Sequence, residues 1–109
     1  MDWRLWNDGG RLVAAPTGRV DEDSWRDFSA HLTAAVHDAV GACAPLVIDL
    51  SGLDYMTSKG LRALTLAKNQ ARGAITIYLS GPKPAMRRIL AISRYDMLFP
   101  VVDDVDQVS

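Results

Sequence analysis

The run Leu46-Val47-Ile48-Asp49-Leu50, followed by Ser51-Gly52, constrains this chain more than any other stretch. It is short, rich in β-branched and aliphatic residues and nearly unbroken by polar positions, the pattern of a central strand covered on both faces. Ser51-Gly52 is turn chemistry, and residues 53–56 carry the chain on to Thr57 and Ser58. Either hydroxyl can cap a helix that runs to about Arg72, where Gly73 ends it. A buried strand, a polar loop at its carboxyl end and a helix opening directly afterwards belong to an open α/β sheet, where such loops host sites.

The flanking sequence fits the same class. Residues 3–6 alternate apolar and polar, Asn7-Asp8-Gly9-Gly10 is strong turn chemistry, and residues 11–15 are short and mostly apolar, which predicts a hairpin. Residues 18–21 then lead into a helix over residues 22–40, with Asp21 as N-cap and Glu22 and Asp23 at the positive end of its dipole. Trp25, Phe28, Leu32, Ala35, Val36, Ala39 and Val40 share one arc of that helix, and Arg26, Asp27, His31, Thr33, His37 and Asp38 fall outside it. Gly41 to Pro45 stops it. A strand over residues 74–79, a helix over 82–92 and a last short strand within 98–102 complete the order. The expected architecture is α/β, a mixed sheet of roughly four to five strands with three or more helices packed on it.

Composition narrows the function. The chain has 109 residues, with 12 Lys and Arg against 13 Asp and Glu, a formal net charge of -1. That length supports one core without metal or disulfide staples, so residues 1–109 read as one domain. A near-neutral balance lacks the basic footprint of direct nucleic-acid binding. The lone Cys43 suits a reducing compartment, the N-terminus has no signal-peptide pattern, and no apolar run is long enough to insert in a membrane. A cytoplasmic location is expected.

No enzyme, metal or cofactor is expected either. His31 and His37 are separated by about 120° around one helix, Cys43 has no partner at ligand spacing, and no HExxH or EF-hand pattern is present. Nor is there a GxGxxG, a P-loop or a GxSxG. Asp103, Asp104 and Asp106 read as a solvated or helix-opening tail.

The helix after Thr57 carries the unusual signal. Lys59 in its first turn opposes the dipole, at a cost of about 0.3–1 kcal/mol if exposed. Lys59, Arg62, Leu66 and Gln70 lie within about 80° of one another, away from the core stripe of Ala63, Leu64, Ala67 and Ala71. A leucine beside two cations is either a docking stripe or an ordinary solvated face, and Thr57 and Ser58 are either caps alone or part of a site in the loop.

Residues 46–64 resemble the strand, loop and helix signature of the STAS domain, the fold of bacterial anti-sigma factor antagonists. Gly18-Arg19-Val20-Asp21 is similar to that family's turn before its first helix. Gly81-Pro82, Arg88-Ile89-Leu90 and residues 98–104 are similar to its closing helix and strand. The resemblance implies a non-enzymatic module that binds an anti-sigma factor, commonly one with a serine-kinase fold, and so controls transcription by partner switching. In phosphorylatable members the loop reads Asp-Ser-Ser-Gly or Asp-Ser-Thr-Gly, and the hydroxyl residue before the glycine is the acceptor. Aligning on Gly60 puts Thr57 at the aspartate, Ser58 at the first hydroxyl and Lys59 at the acceptor, so loss of the usual switch is expected, with Ser58 or Thr57 as substitute acceptors. The implied partner-binding set is Asp54, Met56, Thr57, Ser58, Lys59, Arg62, Leu66 and Gln70. The alternative within the same resemblance is an accessory or scaffolding subunit of a lipid-transport ATPase or sensory complex.

Overall fold

The computed structural model describes residues 1–108. Its elements are β1 (Asp2–Asp8), β2 (Arg11–Val20), α1 (Trp25–Ala42), β3 (Leu46–Asp49), β4 (Leu53–Met56), α2 (Ser58–Ala71), β5 (Ile77–Ser80), α3 (Pro84–Ile92) and β6 (Val101–Val102). Single 3-10 turns sit at Tyr95–Met97 and Val105–Gln107. β1 and β2 pair antiparallel across Gly9 and Gly10, whose φ angles of 58° and 85° suit a right-twisting hairpin loop. From β2 the sheet grows by parallel pairing in the order β1-β2-β3-β5-β6. Right-handed crossovers that add successive strands on one side place the connecting helices on one face. This is the mixed sheet with packed helices that the hydrophobic patterns predict.

The helices accordingly share one core. Phe28, Leu32 and Val36 of α1, Leu64 and Ala67 of α2, and Met86 and Leu90 of α3 close over Ala14, Leu46, Ile48 and Leu79. Strand alternation sends Val13, Val47 and Tyr78 to the opposite face, where Val102, Val105 and Val108 cover them. The acidic C-terminal stretch thus returns to the sheet. Arg11 donates to the carbonyls of Val105 and Val108 at 2.7 and 2.8 Å, and Asp103 lies 3.0 Å from Arg87.

Several boundaries differ from the sequence pattern, each for a local reason. β2 continues through residues 16–20 because it changes neighbour: residues 12–14 pair with β3, and residues 18–20 pair with β4. Pro16, which has no N–H, falls between the two ladders, and Gly18, at φ 96°, stands at the register shift. Residues 53–56, which carry no clear strand pattern, therefore become a sixth strand that pairs with β2 beyond the end of its ladder with β3. α3 begins at Pro84 rather than residue 82, because a proline at the first helical position holds Lys83 extended.

α1 begins at Trp25 rather than residue 22. Asp21 accepts from the N–H groups of Asp23 and Ser24 and from Ser24 Oγ, at 3.0–3.2 Å, and so caps a separate turn ahead of the helix. The Ser24 hydroxyl and these N–H groups hold the Asp21 carboxyl below its usual range. Its stabilisation is complete above the unfolded carboxylate value of about 3.9 and is lost as pH falls through the lower folded value. Asp21→Ala is therefore expected to lower the melting temperature at pH 7, with the gap from wild type closing on acidification below about pH 4. A gap independent of pH in a thermal-melt series would refute this role for the charge.

Candidate functional site

The start of α2 is held by strands rather than by its own sequence. Leu53 pairs with Gly18, Tyr55 with Arg19 and Met56 with Val20, and the Thr57 N–H then donates to the Val20 carbonyl at 2.9 Å. Thr57 Oγ1 accepts from the Gly60 N–H at 3.4 Å, so Thr57 rather than Ser58 is the cap. Gly60 is required by space: a Cβ there would stand 2.5 Å from Met56 Cγ and 2.8 Å from Val20 Cγ1. With the helix seated this closely, Ser58 and Lys59 project from the surface.

Lys59 is exposed but not unpartnered. Its Nζ lies 2.9 Å from Glu22 Oε2 and 5.4 Å from the centre of the Trp25 ring. With the two side chains 51% and 68% exposed, the ion pair is worth less than about 1 kcal/mol, comparable with the dipole penalty that it offsets. A carboxylate from the turn before α1 thus supplies the negative charge that the first turn of α2 lacks. Asp54 is also engaged. Lys83 Nζ donates to it at 2.8 Å, and that hydrogen bond and charge hold its carboxyl below the usual range. Beside it, the Arg19 guanidinium lies 5.1 Å over the exposed Tyr55 ring.

The expected stripe of Lys59, Arg62, Leu66 and Gln70 is exposed, with Leu66 at 55%. It borders α1. Gln70 donates to the Thr33 carbonyl at 3.0 Å, and Trp25 and Ser29 of α1 face Arg62, Ala63 and Leu66 across a shallow groove. Met56 does not join the surface: it is 2% exposed and lies beneath Gly60, so its place in the expected binding set is corrected to that of a support. Sequence reasoning missed Glu22, Trp25 and Ser29 as neighbours of this site. Trp25 is the first member of the α1 apolar arc, and that place at the open end of the helix was the one signal available.

Comparisons with known proteins agree with this architecture. The sequence profile of the family described as Mlab, STAS domain matches residues 8–102. The chain belongs to the STAS domain family. A Bordetella bronchiseptica protein named as an anti-sigma factor antagonist, BtrV, is 33% identical over 95 residues, covering 86% of this chain and 79% of that one. The crystal structure of an anti-sigma factor antagonist from Mycobacterium paratuberculosis superposes with a TM-score of 0.85 at 24% identity, over 96% of this chain and 87% of that one. The phosphorylated form of the Bacillus cell fate determinant SpoIIAA superposes with a TM-score of 0.69 at 18% identity, over 99% of this chain and all of that one. In this STAS domain no helix among the described residues is long and apolar enough to cross a membrane.

Proposed function

We propose that the chain is a protein-binding regulator that docks on an anti-sigma factor of serine-kinase fold through the start of α2, without the phosphoacceptor switch. One observation carries this reading. Lys59, next to Gly60 at the position where the family signature has its acceptor, is a cation held against Glu22 at the helix start. A kinase that transfers phosphate to hydroxyl oxygen finds no substrate in an ammonium group. The module then presents a fixed positive charge where switched relatives acquire about -1.5 to -2 on phosphorylation, which favours a partner with an acidic counterpart. Ser58 is exposed, and its phosphorylation is the outcome that would restore a switch.

The test is incubation of the chain with ATP and each kinase-fold anti-sigma factor of its source organism, read by intact mass and by calorimetric affinity. The expected result is tight binding with no phosphate adduct. Lys59→Glu should weaken that binding by more than about 1 kcal/mol, through repulsion at a desolvated contact. An adduct mapped to Ser58 or Thr57 would overturn the lost switch. Binding only to a transporter ATPase would replace the regulator reading with that of an accessory subunit.

A further inference from the structure

The groove beside this site has a shape and charge that specify what fills it. Its cavity is about 300 Å³, lined by Trp25 and Ser29 from α1 and by Lys59, Arg62, Ala63 and Leu66 from α2. The two helices are tied at both ends of the groove and open between. Glu22 and Lys59 close one end at 2.9 Å, and Gln70 on the Thr33 carbonyl closes the other at 3.0 Å. The side chains along each helix therefore meet in the same order, as they do in helices running side by side in one direction. The small Ala63 forms the floor, and Trp25 and the exposed Leu66 leave apolar walls in water.

The rim is cationic. Lys59 and Arg62 stand on the α2 side, and the Arg26 guanidinium lies 5.1 Å over the Trp25 ring on the α1 side. Among the described residues neither Arg26 nor Arg62 joins an ion pair, and the one carboxylate shown against this rim, Glu22, is occupied by Lys59. An apolar slot bounded by cations, between two helices, matches an amphipathic helix that inserts one large apolar side chain and carries carboxylates a turn to either side.

We propose that the groove between α1 and α2 is the socket for an acidic helix of the partner protein, with one leucine- or phenylalanine-sized anchor between Trp25 and Leu66. The inference rests on the docking function above and adds the partner's chemistry to it. The anchor is expected to dominate the contact energetically, and the carboxylates to set its orientation and salt dependence.

The test measures calorimetric affinity for the kinase-fold anti-sigma factor that binds the wild-type chain. Leu66→Glu places a carboxylate in the apolar wall, and Ser29→Trp fills the cavity from the other side. Each should weaken binding about tenfold or more, with Leu66→Met within about twofold of wild type. Arg62→Gln should flatten the salt dependence of the affinity. Thermal melting of each variant separates loss of the socket from loss of the fold. If Leu66→Glu and Ser29→Trp bind like wild type while Lys59→Glu binds weakly, the helix start docks and the socket is refuted alone. If the wild-type chain binds no such factor, both readings fall. A wild-type dimer in sedimentation that Leu66→Glu dissociates would give the groove to a second copy and overturn the proposal.

Discussion

Gly60→Val is expected to destabilise the native state by about 2–3 kcal/mol, the upper part of the usual overpacking range. For a domain of this size that corresponds to a fall in Tm on the order of 10 °C or more. The first added carbon already overlaps Met56 Cγ and Val20 Cγ1, at 2.5 and 2.8 Å. Neither neighbour can give way cheaply, because Val20 is fully buried with a stiff β-branched side chain and Met56 is 2% exposed. Valine then adds two methyl groups in the same space. Gly60→Ala should cost less, since the gain in helix propensity of about 1 kcal/mol offsets part of the same overlap. A valine variant that melts with the wild type would mean that α2 is not seated on β2 and β4 as described.

If the proposed docking holds, Lys59→Ser is expected to take up a single phosphate from the kinase-fold anti-sigma factor that binds the wild-type chain without modifying it. The substitution restores a hydroxyl immediately before Gly60, at an exposed position in the first helical turn. A phosphate there benefits from the unpaired N–H groups of the helix start. It also adds about -1.5 to -2 of charge to a neutral side chain beside Glu22, so partner binding should fall by more than about tenfold on phosphorylation. The readout is intact mass with and without ATP, followed by affinity of the two forms. If the serine variant stays unmodified in the presence of a bound, ATP-competent partner, the position alone does not make an acceptor, and the difference at Thr57 becomes the next candidate cause.

Much of the fold is written in local patterns. The apolar run of residues 46–50 and the single apolar arc of α1 predict β3 and α1 because burial repeats at the period of each backbone. Leu53–Met56 shows how that method fails. It is a strand only because β2 outlasts its pairing with β3 and leaves backbone groups for another partner. The same contact turns Met56 inward and makes Gly60 necessary, so one misread strand carried one misplaced site residue with it.

The sequence by itself determined the α/β order, the capped helix that follows the central strand, and the presence of Lys59 directly before Gly60 in the first turn of that helix. These depend on residue type and on spacing within one element, which periodicity and capping chemistry report directly. Only the tertiary structure decided that Lys59 is paired with a glutamate 37 positions earlier in the chain, and that Leu66 faces Trp25 across a groove. A helical wheel says which side of a helix is free of its own core. Which helix lies alongside, in which direction and at what offset is set by the order of strands in the sheet and by handed crossovers between them, and no local pattern contains that information.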